Sequence, residues 1–320
     1  MLNDALPNRW YPLLTSAQLR RVPVVIERLG ERLVLWRDNA GLAHAAIDRC
    51  PHRGVTFKSG EVNKAGELVC PYHGFTFGPT GACAHAPVLG RDAKPPTMSL
   101  DVRHVTEAHG LLWAFTGDVT ADTPPPPWFD GLGEDLRRCT DVAEEWPVHH
   151  VQLTQSMLDV YHVGVLHRRS VPGTGKVLSD FKLTTTDDEV HTQGRLGHDG
   201  KPGDPFVAHL RLPGLVHLDV GLGFHLLIAV TPIDTKRSWV WARYELRLTP
   251  IPQLDGLIAW LGAKYDFSVL QHMEDLPLLT SIEPAIPEPG CDRLIAPDAG
   301  AAAYLRLYRR HLHDRAEAAK

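Results

Sequence analysis

The chain has 320 residues, with 33 Lys+Arg against 38 Asp+Glu and a formal net charge of -5. So mild an acidic balance excludes the basic surface of a nucleic-acid-binding protein. Hydrophobic residues at 43% and charged residues at 22% describe an ordinary globule rather than a disordered chain, and the length suggests about two domains.

No stretch approaches the ~18 uninterrupted apolar residues of a membrane span. The opening Met1-Leu2-Asn3-Asp4-Ala5-Leu6-Pro7 lacks the basic head and apolar run of a signal peptide. The expectation is a cytoplasmic protein without membrane contact. There, the five cysteines (50, 70, 83, 139 and 291) are thiols or metal ligands rather than disulfides.

In chain order, the first third reads as short strands between turns: Val22 to Arg28, Arg32 to Arg37, Leu42 to Ile47 and Leu111 to Thr116. These suggest a small all-β unit. The stiff run Thr123-Pro124-Pro125-Pro126-Pro127-Trp128 then sets a domain boundary, giving 1–122 and 123–320. The second part opens with a helix-like segment from Val151 to Leu166. A loop rich in Gly, Pro and charge follows, then strands near Phe206–Leu212, Leu215–Val220, Phe224–Thr231 and Ser238–Leu248. A long helical pattern covers Leu254 to Thr280, with a kink or end near Pro277, and a last helix runs from Ala301 to about Ala319. Strands followed by long helices imply an α+β second domain.

Two constellations carry chemistry. Cys50-Pro51-His52-Arg53-Gly54 and Cys70-Pro71-Tyr72-His73-Gly74 are Cys-x-His and Cys-x-x-His, each with a glycine for a tight turn. Two thiolates and two imidazoles suit a tetrahedral zinc ion, or a [2Fe–2S] cluster in which two Cys hold one iron and two His the other. One sulfur and one nitrogen ligand per loop favour the cluster. Cys83 reads as packing, and Cys139 and Cys291 as buried or incidental thiols.

The second constellation is Asp159-Val160-Tyr161-His162-Val163-Gly164-Val165-Leu166-His167. A 2-His-1-carboxylate site needs two imidazoles and one carboxylate on one side of a metal. At ~100° per residue, His162 and His167 lie ~140° apart on a straight helix, so a single helix cannot aim both at one ion. Gly164 is the place for a bulge or end. The carboxylate must come from elsewhere, and in the long helix Asp275, Glu274 and Asp266 compete on spacing alone.

Cys50-Pro-His-Arg-Gly and Cys70-Pro-Tyr-His-Gly-Phe resemble the motifs of the Rieske non-heme iron (ring-hydroxylating) oxygenases, and the Asp159–His167 segment resembles their iron-binding stretch. The resemblance implies that Cys50, His52, Cys70 and His73 hold the [2Fe–2S] cluster. It makes His162 and His167 ligands of a mononuclear non-heme Fe(II), with Asp159 as the bridge between His73 of one subunit and His162 of the next. His272-Met273-Glu274-Asp275 resembles the family segment whose Asp completes the triad, which selects Asp275. The chain departs from the family at Ser156, where Asn is frequent, and at Ser281, where Gln is frequent. Its tail, Ala296-Pro297-Asp298-Ala299-Gly300, is similar to that of the vanillate and methylxanthine demethylases.

The resemblance further implies an α+β chain in which an all-β Rieske domain precedes a helix-grip-like α+β catalytic domain, assembled as a head-to-tail homotrimer. O2 would be the co-substrate. Electrons would come ultimately from NAD(P)H through a separate flavin reductase, a ferredoxin, or both, since the chain has no dinucleotide fingerprint. A small, largely apolar organic substrate would be hydroxylated or oxidatively demethylated. Met157, Leu158, Val163, Leu218, Phe224 and Leu226 would wall its pocket, with His209, His217 or His225 orienting a polar group. His149 and His150 read as structural, and Arg53 as an aid to docking a ferredoxin or as support for the cluster. The alternative class is a Rieske electron carrier or redox sensor without oxygenase activity, for which a triad has no use.

Overall fold

A computed structural model of the chain describes residues 2, 4–90, 92–201, 203–221, 223–284, 288 and 290–318. It divides into two compact units, 1–126 and 127–320, with the division inside the proline run.

The first unit is built from short antiparallel strands: β1 (Trp10–Thr15), β2 (Val24–Arg28), β3 (Glu31–Arg37), β4 (Ala43–Ile47), β5 (Glu61–Val62), β6 (Leu68–Val69), β7 (Thr76–Phe77), β8 (Cys83–His85), β9 (Val102–Arg103), β10 (Val105–Ala108) and β11 (Leu111–Phe115). They form three sheets, ordered β1-β11-β10, β2-β3-β4-β9 and β5-β6-β7-β8. The second Cys/His loop joins β6 to β7 of the last of these, and the first lies between β4 and β5. The loops sit on a core of Val34, Trp36, Phe57, Leu68 and Phe77, into which Cys50, Cys70 and Cys83 are packed. All five cysteines are free thiols, Cys139 half-buried and Cys291 exposed.

The second unit starts with β12 (Cys139–Trp146), α1 (His150–Ser156) and α2 (Val163–Leu166). Strands β13 (Val177–Thr185), β14 (Glu189–Gly197), β15 (Asp204–Arg211), β16 (Leu215–Asp219), β17 (Phe224–Pro232) and β18 (Ser238–Leu246) follow. The seven strands make one antiparallel sheet, β12-β18-β17-β16-β15-β14-β13. Then come α3 (Pro252–Tyr265), a π-helical stretch (Asp266–Asp275), α4 (Leu276–Leu279) and α5 (Ala299–Ala318). Leu153 of α1, Val230, Val240, Ala242 and Tyr244 of the sheet, and Ala259, Ala263 and Phe267 of the following helix share one core. Among the described residues no helix is long and apolar enough to cross a membrane.

Three sequence expectations fail here, each for a physical reason. Strands β1, β5 to β10 and β12 to β14 fall where no strand was expected. β13 is an end strand of the sheet and mostly exposed, and a register shift between Ser179 and Lys182 breaks the alternation of its half-buried Leu178, Phe181 and Leu183. The helix expected over 151–166 is two short helices, separated by residues 157–162. The break lies ahead of Gly164, not at it, because Gly164 serves close packing instead: a Cβ there would lie 1.9 Å from the Gly175 carbonyl oxygen. The long helix over 254–280 changes winding at Asp266, well before Pro277. That proline sits in the first turn of α4, where a missing N–H costs little. The last helix begins at Ala299 and continues to Ala318, and its expected end at Ala319 lies outside the described residues.

Candidate cluster and metal centres

The two loops of the first unit close in the same way. Cys50 N–H donates to Val55 O (2.9 Å) and Gly54 N–H to Cys50 O (2.7 Å). Cys70 N–H donates to Phe75 O (2.8 Å) and Gly74 N–H to Cys70 O (3.0 Å). Each glycine is left-handed, φ 75° at Gly54 and 72° at Gly74, a conformation that costs other residues strain. Buried Asp48 ties the first loop down by accepting from Thr56 Oγ1 (2.5 Å) and Phe57 N–H (2.6 Å) while pairing with Arg32 (2.8 Å).

Both cysteines are 1% exposed, whereas His52 and His73 are exposed with ring centroids 4.8 Å apart. Tyr72 lies against His73 (3.8 Å) and Phe75 against His52 (4.7 Å). Arg53 stands over the Tyr72 ring at 6.0 Å. Burial pushes the Cys50 thiol up to about 11, and the adjacent Cys70 sulfur adds to the shift. A thiolate pair therefore needs bound cationic charge at this position. Two buried sulfurs beneath two exposed imidazoles fit a cluster with one inner and one outer iron.

In the second unit, α2 is bracketed by histidines, with His162 at its N-terminus and His167 at its C-terminus. Gly164 is packed on Gly175, and a Cβ on Gly175 would in turn lie 2.0 Å from the Gly197 carbonyl oxygen. A column of glycines thus seats α2 against the start of the sheet. Tyr161 OH donates to Asp298 Oδ1 (2.6 Å), tying the loop before α2 to the residues that lead into α5. Asp159 Oδ1 accepts from the Tyr161 and His162 N–H groups (3.2 and 3.4 Å).

One imidazole nitrogen of each histidine faces the same carboxylate. Asp275 Oδ1 lies 3.7 Å from His162 Nε2 and 3.3 Å from His167 Nε2. The three side chains offer ligand atoms that all lie within 4.8 Å of one another. Each second nitrogen faces a different carboxylate: His162 Nδ1 is 3.5 Å from Asp159 Oδ2, and His167 Nδ1 is 2.7 Å from Glu274 Oε2. Burial alone would lower the His167 pKa, but Asp275 and Glu274 outweigh it and raise it. A divalent cation would satisfy the same two carboxylates, so the donor set fits a 2-His-1-carboxylate metal.

The geometry separates the three carboxylates that spacing left open. Asp275 faces both histidines and Glu274 reaches only the outer nitrogen of His167. Asp266 points to the sheet, where it accepts from Tyr244 OH and lies 3.4 Å from the Gln271 amide; burial raises its pKa. Glu274 and Ser170 form a clamp on His167, and no sequence signal marked Ser170 for that role.

Of the residues expected to wall a pocket, Met157, Leu218, Phe224 and Leu226 are half-buried on the shared core. Leu158 is fully buried, with its Cβ 3.9 Å from where a Cβ on Gly300 would stand. The strand histidines do not join these walls. Strand alternation sends His209, His217 and His225 to the sheet face opposite Leu218 and Leu226. There His209 meets Glu189 (3.0 Å), His217 meets His225 (3.2 Å), and Phe129 covers His209 and His217. His149 Nδ1 accepts from Val151 N–H at the start of α1, and His150 meets Tyr308 OH (3.3 Å); both are buried.

Residues 9–103 match the family model of the Rieske [2Fe-2S] domain. The chain carries a Rieske domain. Its cofactor is the [2Fe–2S] cluster, and the zinc reading of the paired loops is set aside. The putative toluene-4-sulfonate monooxygenase iron-sulfur subunit TsaM2 of Comamonas testosteroni is 29% identical over 240 residues, 67% of this chain and 66% of that one. The chloroplastic protein TIC 55 of Pisum sativum is 31% identical over 167 residues, 50% of this chain and 30% of that one. The chain thus spans less than two thirds of the length of these curated relatives. Pseudomonas putida CBB5 NdmA has the same fold across 97% of this Rieske chain and 92% of its own, at 18% identity and a TM-score of 0.76. Dicamba monooxygenase bound to dicamba matches over 98% of each chain, at 19% identity and a TM-score of 0.73. The whole chain therefore has the fold of these Rieske oxygenase components, an all-β Rieske domain followed by an α+β domain.

Proposed function

We propose that this chain is the terminal component of an O2-dependent oxygenase that hydroxylates or oxidatively demethylates a small organic substrate. The convergence of His162, His167 and Asp275 in the second unit carries this reading, because an electron carrier needs only the paired Cys/His loops of the first. Cys50, His52, Cys70 and His73 hold the cluster, and His162, His167 and Asp275 hold a mononuclear Fe(II). When bound, the cluster would supply electrons one at a time and the Fe(II) would supply the chemistry of O2 reduction.

The residues divide the remaining work. Asp159, whose Oδ2 lies 3.5 Å from the outer nitrogen of His162, is the bridge that links it to His73 of a neighbouring copy in a head-to-tail homotrimer. Met157, Leu218, Phe224 and Leu226 give an apolar wall that excludes water and favours a largely apolar substrate. The cluster function belongs to residues 1–122 and the catalytic function to 123–320. Electrons come from NAD(P)H through a separate flavin reductase or ferredoxin, for which Arg53 and exposed Tyr72 offer a contact beside the outer cluster ligands. The acidic, ordinarily polar composition supports a soluble cytoplasmic protein.

The names of the similar proteins supply a first substrate panel: caffeine, dicamba and toluene-4-sulfonate. Purified chain with a donor reductase is assayed for substrate-dependent O2 uptake and labelled product under labelled dioxygen. Asp159→Ala should keep both metal sites and nearly abolish turnover. A chain that reduces its cluster but never couples O2 uptake to any substrate, in an extended aromatic panel, is a carrier.

A further inference from the structure

We propose that Glu274, braced by Ser170, is a positioning residue that orients His167 toward the metal and supplies the second negative charge of the centre. The inference rests on reading His162, His167 and Asp275 as metal ligands. Both oxygens of Glu274 are engaged: Oε2 accepts from His167 Nδ1 at 2.7 Å and Oε1 from Ser170 Oγ at 2.7 Å. Ser170 is fixed in turn, its N–H donating to His167 O (2.9 Å) and its carbonyl accepting from Tyr265 OH (2.8 Å). The result is a closed ring of bonds from the His167 side chain through Glu274 and Ser170 back to the His167 main chain.

This ring settles the tautomer. With the Nδ1 proton held by Glu274, the lone pair of His167 lies on Nε2, the atom that faces Asp275 at 3.3 Å. The partner histidine has no such clamp: His162 stands 3.5 Å from Asp159, and its side chain is 30% exposed against 4% for His167. His167 is thus the pre-organised anchor and His162 the less constrained ligand. Charge gives an independent reason. A divalent ion with Asp275 as its one charged ligand keeps a net positive charge in a half-buried site, and Glu274 offsets it through the imidazole.

The test uses the full chain with its cluster intact and the mononuclear site depleted. Fe(II) is titrated anaerobically against a chelator of known affinity, and nitric oxide is added as a spectroscopic probe of the bound Fe(II) with the cluster oxidised. Glu274→Ala should weaken Fe(II) binding about 10- to 100-fold and shift the rhombicity of the nitrosyl EPR signal. Glu274→Gln, which keeps an acceptor but not the charge, should restore the wild-type rhombicity while retaining part of the affinity loss. Ser170→Ala should lose affinity by a smaller factor, and it replaces Glu274→Ala as the reporter if that variant does not fold. The visible spectrum of the cluster serves as the folding control. A Glu274→Ala chain with Fe(II) affinity within about threefold of wild type and an unchanged nitrosyl signal overturns the clamp. A wild-type chain that binds no Fe(II) outside its cluster overturns the metal reading itself, and the clamp with it.

Discussion

The cluster loops and the mononuclear centre solve the same problem, holding metal ligands without strain, by opposite means. Each cluster loop is closed by its own hydrogen bonds within six residues and turns on one left-handed glycine. The mononuclear centre has no such local closure. Its histidines bracket a one-turn helix seated on a glycine column, and its carboxylate arrives from a π-helical stretch far along the chain. A ligand set written in local sequence is rigid by construction, whereas one gathered from distant elements is only as precise as the packing that brings them together. π-Helical turns are frequent at functional sites, because the altered winding redirects side chains that a regular helix would send elsewhere.

Four substitutions test that contrast, in order of falling effect. Cys50→Ala should remove the whole cluster, taking iron from about three per chain to about one and abolishing the cluster EPR signal. Stoichiometric zinc without acid-labile sulfide in the wild type would break the comparison at its first term. His167→Ala should remove only the mononuclear iron and leave the reduced cluster visible, since the two ligand sets lie in separate units. Joint loss of both centres, measured by iron and sulfide analysis, would mean that the units are not independent.

Gly164→Ala tests the packing itself. A Cβ placed 1.9 Å from the Gly175 oxygen must push α2 away, at a cost of about 1–3 kcal/mol, and should lower mononuclear iron loading while sparing the cluster. An unfolding curve and metal content like those of the wild type would show that α2 is held by something else.

The smallest effect concerns pH, on the sheet face away from the centre. Burial, with His225 nearby, lowers the His217 pKa to about 4; His209, Asp219 and Glu245 also face it. The unfolded chain protonates this group below its ordinary value near 6.5, and the folded chain does so only near 4. Stability should therefore be lost as pH falls across that window, with a slope of up to one proton. His217→Gln should flatten the slope, as read by denaturant unfolding at several pH values, and should leave mononuclear iron content unchanged. A drop in iron content would instead connect the two faces of the sheet.

The sequence alone determined whatever is local. The paired Cys/His loops, their glycines and four of the early strands (β2, β3, β4 and β11) were legible within a residue or two, because a tight loop writes its ligand spacing and turn chemistry into consecutive positions. In the second unit, local spacing showed only that His162 and His167 could not share one straight helix. Spacing left Asp275, Glu274 and Asp266 open and only the family resemblance selected Asp275; the location of the break belonged to the tertiary structure. So did the exclusion of the strand histidines from the candidate pocket and the recruitment of Ser170. These depend on helix winding, backbone-to-backbone contact at Gly164 and Gly175, and the face of a sheet on which a side chain falls. Each is set by packing between elements remote in sequence, where no fixed spacing exists to be read.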